Sequence, residues 1–274
     1  MAASIVMPGK AGARELLFVP DHLWDRTSKE LPGGWMYCFP NCGRLERQGK
    51  SNLYYYDGHV YELPLHGFAW TKAWTVVEVK HNSLLLRLRD DQQTRLAYPF
   101  HFTLEYLYEI TDRTLFCRQT YINHGDRPMP YNAGFHPYFS TPEPGGAKNH
   151  VILNFTPRRR LRYNQQLTDI VGELPLFPVP VSVGNPEINE QLFQIGEDKH
   201  IYLTYPNGDV INMAVEGVED RDMFPYLQLY SPPDQPFVCV EPWMGYPNAL
   251  NSVAGVRWLA PGQKEHGALR LWLE

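Results

Sequence analysis

An all-β fold, a large antiparallel β-sandwich with few short helices, is the fold class this sequence predicts, on three observations. The first is period-2 alternation. Between Pro99 and Ile110 one face reads Phe100, Phe102, Leu104, Tyr106, Tyr108 and Ile110; the other reads His101, Thr103, Glu105, Leu107 and Glu109. That is the pattern of a half-buried strand. The second is turn chemistry. Asp57-Gly58 and Asn207-Gly208 each lie between two extended runs, where a tight hairpin needs residues that accept positive φ. The third is composition: 24 prolines and 21 glycines favour many turns over long helices. No segment carries a helical stripe over three turns.

The elements follow in chain order. Tyr54–Tyr56 and Val60–Tyr61 flank Asp57-Gly58 as a hairpin. Leu84–Arg89, Pro99–Ile110 and Leu115–Ile122 read as strands. Arg158-Arg159-Arg160 reads as a solvent-exposed loop after a strand. Gly172–Pro186, rich in Pro and Val, reads as a surface loop carrying extended pieces. Ile201–Tyr205 and Val210–Val215 flank Asn207-Gly208, and Ser231–Pro236 joins Tyr226–Tyr230 to Phe237–Val240. No period of 20 to 50 residues repeats. One domain spanning 1–274 is therefore expected.

Composition excludes several classes. The formal charge is −5, from 25 basic and 30 acidic residues, which gives no general pull towards nucleic acid. No apolar run approaches the ~18 residues of a membrane span, and the first 20 residues lack an uninterrupted apolar stretch of the kind a signal peptide needs. Cys38, Cys42, Cys117 and Cys239 make no paired zinc spacing and read as buried reduced thiols. The expectation is a cytoplasmic protein with no cofactor, no metal and no membrane partner. A monomer is expected because no heptad or interface stripe is present.

Two short segments carry groups for proton transfer. His136 lies in Asn132–Phe139 (NAGFHPYF), and Glu241 lies in Val240–Asn251 (VEPWMGYPNALN), about a hundred residues later. A reaction that protonates one oxygen while deprotonating another needs such a pair. Glu241 directly follows the apolar run Phe237–Val240, so its carboxylate is partly desolvated and more basic. Phe135, Tyr138 and Phe139 frame His136 with rings that exclude water and suit the apolar face of a sugar. Two further segments, Cys38–Leu45 (CFPNCGRL) and Leu63–Trp70 (LPLHGFAW), are weaker singly, because a His beside a Gly is more often structural than functional.

Taken together and in this order, Leu65–Ala69 (LHGFA), Gly134–Phe139 (GFHPYF) and Glu241–Asn251 (EPWMGYPNALN) resemble the aldose 1-epimerase (galactose mutarotase) family, including its aldose epimerase-like branch. The resemblance runs from about Leu31 to Leu273 and is densest in Arg118–Phe139. It implies a galactose mutarotase-like supersandwich. It also implies that Glu241 is the general base and His136 the general acid, with Tyr138 facing the substrate. Arg44, His66 and Gln228 match the family's sugar-binding Arg, His and Gln. The family's hydroxyl-holding Asp is matched best by Asp198, whose alternative role is that of a turn aspartate. The implied activity interconverts the α and β anomers of a hexose by ring opening and reclosure.

The substrate is less sharply implied. Family members acting on hexose 6-phosphates carry Arg after the HGFA string, and Trp70 stands there in this chain. A missing guanidinium removes a bidentate phosphate clamp, which favours a neutral aldose over a sugar phosphate. Trp70 then either stacks on the sugar or packs in the core. A carbohydrate-binding protein without catalysis is the competing class, followed by an interaction protein with a vestigial pocket. A hydrolase is disfavoured because no second carboxylate has a comparable motif.

Overall fold

The alternating segments pair into two large antiparallel sheets. In the computed structural model, residues 2–21, 33–143, 146–216 and 222–274 are described. The larger sheet has nine strands. Its lateral order is Val181–Ser182, Ile152–Asn154, His200–Thr204, Val210–Glu216, Lys264–Leu273, Thr114–Asn123, Phe102–Thr111, Ser83–Arg89 and Thr75–Val79. The smaller sheet has seven strands, in the order Ile170–Leu174, Pro157–Tyr163, Gln191–Ile195, Tyr226–Tyr230, Phe237–Trp243, Gly134–Ser140 and Trp35–Cys38.

The core lies between the two sheets. Leu104, Tyr106, Tyr121, Leu269 and Leu271 of the nine-stranded sheet join one buried cluster with Tyr37, Phe135, Phe139, Val238, Val240, Leu227 and Leu229 of the seven-stranded sheet. Burying each large apolar side chain of this kind contributes about 1.5–3 kcal/mol. The parity is what matters for function. Phe135, Val238, Val240 and Leu227 point into this core, so their neighbours His136, Cys239, Glu241 and Gln228 must point to the opposite face.

The Pro99–Ile110 alternation becomes Phe102–Thr111, paired along its length with Thr114–Asn123. Phe102, Leu104 and Tyr106 are buried, but Ile110 is exposed where the strand runs past the core. Asp57 and Gly58 take positive φ (48° and 80°) between Leu53–Tyr56 and His59–Glu62, and Gly208 does so at the second hairpin (84°). The arginine run departs from expectation. Arg158–Arg160 are strand residues of Pro157–Tyr163 rather than a loop. Arg159 pairs with Glu173 and Arg160 with Glu187; the one buried side chain of that strand, Leu161, was too little apolar signal to show alternation. All four cysteines are buried and free. Among the described residues no helix is long and apolar enough to cross a membrane.

The connection between Tyr226–Tyr230 and Phe237–Trp243 is pinned by one buried lysine. Lys148 Nζ donates to the carbonyls of Pro232 (2.7 Å), Gln235 (2.9 Å) and Phe237 (2.9 Å). Lys148→Met removes all three donors and leaves those carbonyls without an ammonium partner. The expected cost is about 3 kcal/mol, read as a fall in Tm of about 6–12 °C. A fall under about 2 °C would show that the loop holds without it.

Candidate active site

Strand register builds the floor of the site. Gly134 pairs with Trp243 and Tyr138 with Cys239, which sets His136 opposite Glu241. Gln228 pairs with Glu241 on the other side. Three adjacent strands thus present Gln228, Glu241 and His136 in one row on one face. Directly opposed side chains in an antiparallel pair sit close enough to touch, and His136 Nε2 lies 3.2 Å from Glu241 Oε2. Gly134 permits this approach: a Cβ there would meet the Pro242 carbonyl and the Trp243 ring at 2.7 Å.

Loops build the wall. His66 and Gly67 both take left-handed backbone (φ 59° and 72°). A side chain at Gly67 would collide with the Phe39 carbonyl at 2.1 Å, so only glycine allows this close crossing. The turn directs the His66 ring edge-on to His136, with centroids 4.7 Å apart. His66 Nδ1 accepts the Gly43 N–H at 3.1 Å. That bond places the proton of neutral His66 on Nε2, which is therefore a donor. Arg44 follows Gly43, and its carbonyl accepts the Asn248 N–H at 3.0 Å. Asn251 Nδ2 donates to the carbonyls of Glu46 and Leu53. The second half of the Glu241–Asn251 string therefore braces the Arg44 segment, while the first half supplies the Glu241 carboxyl.

These groups line one cleft of about 100 Å³, together with Tyr138, Tyr163, Glu190 and Trp243. Tyr138 stacks on His136 at 4.9 Å. Tyr163 donates its hydroxyl proton to Gln228 Oε1 at 2.7 Å, which fixes the amide so that its N–H groups face the other way. Arg44 reaches Glu190 at 3.5 Å.

Burial dominates the electrostatics of the pair. It pushes the Glu241 carboxyl well above the usual carboxylate range, and nearby Cys38 and Glu190 push the same way. It holds the His136 imidazole well below its ordinary value, helped by His66. Each group alone resists its charged form, so the pair titrates as a unit. With one proton between them, the pair has two forms of equal charge: imidazolium with carboxylate, or imidazole with carboxylic acid.

Of the residues singled out from sequence, the structure brings Glu241, His136, Arg44, His66, Tyr138 and Gln228 together. It does not bring Asp198 or Trp70 to the cleft wall. Asp198 lies in the turn before His200–Thr204 and accepts the His200 N–H at 3.1 Å, which is the turn role. The carboxylate in the cleft is Glu190, held in left-handed backbone (φ 52°); nothing in its local sequence marks it. Trp70 packs with Met36, Tyr138 and Phe237 and donates to the Leu65 carbonyl at 3.3 Å. Trp243 was legible in principle, because it lies two residues after Glu241 and so shares its face.

His66, His136 and Glu241 also have ligand-type atoms within 4.8 Å of one another, a two-histidine one-carboxylate set. The chemistry of the set does not suit a cation. A metal-bound imidazole uses its second nitrogen as a donor, whereas His66 Nδ1 faces an N–H and accepts. His66 offers the cleft a proton, which fits a hydroxyl oxygen.

A seven-stranded sheet carrying a buried His–Glu pair on one face and packed through the other on a nine-stranded sheet defines a galactose mutarotase-like fold with a polar cleft. A family model for aldose 1-epimerase matches residues 3–271, and the chain belongs to that family. The match begins well before Leu31, where the motif-based resemblance starts. Among curated proteins the chain is similar to chromosomal protein LacX of Lactococcus lactis subsp. lactis: 23% identical over 242 residues, covering 84% of this chain and 80% of LacX. Among solved structures it is similar to a galactose mutarotase-like protein of Lactobacillus casei (TM-score 0.81, 22% identity, covering 99% of this chain and 93% of that one). It is also similar to the Slr1438 protein of Synechocystis sp. PCC 6803 (TM-score 0.80, 24% identity, covering 100% and 96%).

Proposed function

We propose that this protein is a mutarotase for a neutral aldohexose. The observation that carries the reading is the 3.2 Å approach of His136 to Glu241 at the floor of a cleft also lined by Arg44, His66 and Gln228. In the first step Glu241 takes the proton of the anomeric hydroxyl, the C1–O1 bond becomes a carbonyl, the C1–O5 bond breaks, and His136 gives its proton to O5. The pair begins as imidazolium and carboxylate and ends as imidazole and carboxylic acid, so no proton is lost or gained. The open-chain aldehyde turns about C1–C2, and reclosure on the other carbonyl face runs both transfers backwards. Arg44 and His66 Nε2 on the rim, with Gln228 on the floor, hold the remaining hydroxyls.

Charge favours the neutral sugar. Among the described lining residues Arg44 is the sole permanent cation, and it already faces Glu190. A phosphate would meet the field of Glu190 without a free guanidinium to oppose it. Polarimetry with glucose, galactose and glucose 6-phosphate tests this; a hundredfold preference for the phosphate would overturn it. Binding of sugar without faster anomer exchange would select the non-catalytic reading instead. Glu190→Gln frees Arg44 and removes the repulsion. Its expected effect is a rise of about tenfold in kcat/KM for glucose 6-phosphate relative to glucose, from one charge contact of about 1.4 kcal/mol.

A further inference from the structure

Glu241 does not meet its neighbours evenly. The His136 contact falls on Oε2, and the Trp243 indole N–H donates to that same oxygen at 3.2 Å. Oε1 takes no hydrogen bond among the described residues. Trp243 is itself buried, packed with Cys38, Cys42, Leu161 and Leu192. It shares the strand and face of Glu241, and its ring meets His66 at 5.9 Å.

We propose that Trp243 is a positioning residue for the reaction: its indole N–H holds the Glu241 carboxylate by Oε2 and so makes Oε1 the atom that takes the sugar proton. The assignment of Oε1 rests on the mutarotase reading; the hold on the carboxylate does not. A carboxylate pinned through one oxygen cannot rotate about its last bond, so the second oxygen faces the cleft in one orientation. The same bond favours the ionised carboxyl, opposing the effect of burial, and so biases the one-proton pair towards imidazolium and carboxylate. That is the form from which ring opening starts. Proximity and protonation state are thus set by one N–H.

Trp243→Phe keeps the ring and deletes the donor. Two measurements test it. The first needs no substrate: the Glu241 Cδ resonance is followed by ¹³C NMR as pH is varied. Its midpoint should rise by about one unit in Trp243→Phe, the scale of one hydrogen bond to a charged group. The second is the pH profile of kcat/KM for glucose. The shifts of the two limbs towards higher pH should sum to about one unit, because the pair titrates together, and the plateau should fall about tenfold while KM changes less than threefold. A merely structural wall would lower stability and move neither the carbon titration nor the limbs. Midpoints and limbs within 0.3 unit of wild type (roughly the scatter set against a one-unit effect) overturn the proposal. A shifted carbon titration in Trp243→Phe, with a wild-type protein that accelerates no sugar, would uphold the hold on Glu241 while removing the Oε1 assignment and the mutarotase reading together.

Discussion

Glu241→Gln is expected to abolish catalysed anomer exchange while leaving the protein folded and, above neutrality, more stable. The activity loss should exceed about a hundredfold, because an amide cannot accept the hydroxyl proton. The stability gain follows from burial. A carboxyl pushed up in the folded protein contributes stability that is fully present below its ordinary value near 4.5 and is lost as pH rises towards the folded value. Glutamine has no such loss. The variant should therefore melt with wild type near pH 4 and above it by pH 8, by about 2–4 °C for each 1 kcal/mol recovered. Near-normal activity in this variant would remove Glu241 as the base. A lower Tm at pH 8 would show that the carboxyl is stabilised by contacts stronger than those described.

His136→Asn is the mirror experiment. Loss of the acid should lower kcat/KM by about 10²–10⁴, and a loss under tenfold would mean that another acid serves O5. Its stability signature has the opposite sign in pH. An imidazole held below its ordinary value contributes stability that is present above about 6.5 and is lost as pH falls towards the folded value. The variant should gain on wild type in Tm as pH is lowered from 7 to 5, and no such gain is expected at pH 8. Polarimetry and thermal melts across pH 4–8 on the two variants together separate the acid from the base. The two groups touch, so their effects will not add, and a double variant should fall little further than the worse single one.

The floor of the cleft was legible in the sequence because it obeys local rules. His136 and Tyr138 share a face by alternation, and Phe237–Val240 announces that Glu241 ends a buried run. What alternation could not supply was the register that sets residue 136 opposite 241, since strands from distant parts of a chain carry no mark of their pairing. Family resemblance filled that gap. The rim was harder. His66 is marked by the LHGFA resemblance, but Glu190 owes its place to left-handed backbone in an ordinary polar stretch, and Asp198 matches the family's Asp by its place before a strand yet serves its own turn. Trp70 shows the same limit: it neighbours the cleft residue Leu65, yet its side chain packs with the Met36, Tyr138 and Phe237 cluster and does not line the cleft. The arginine run reads as a loop because its three charges mask a strand whose one buried side chain, Leu161, packs on the cleft side with Leu192 and Trp243.

The separation of floor from rim has an evolutionary consequence. The distance between proton donor and acceptor is fixed by the backbone ladder joining two neighbouring strands, whose spacing hardly varies from one protein to another. Arg44, His66 and Glu190 sit on connections that tolerate insertion and exchange. If the proposed reaction holds, a lineage can therefore swap one clientele for another by editing turns, with the His136–Glu241 pair riding unchanged on the scaffold beneath them.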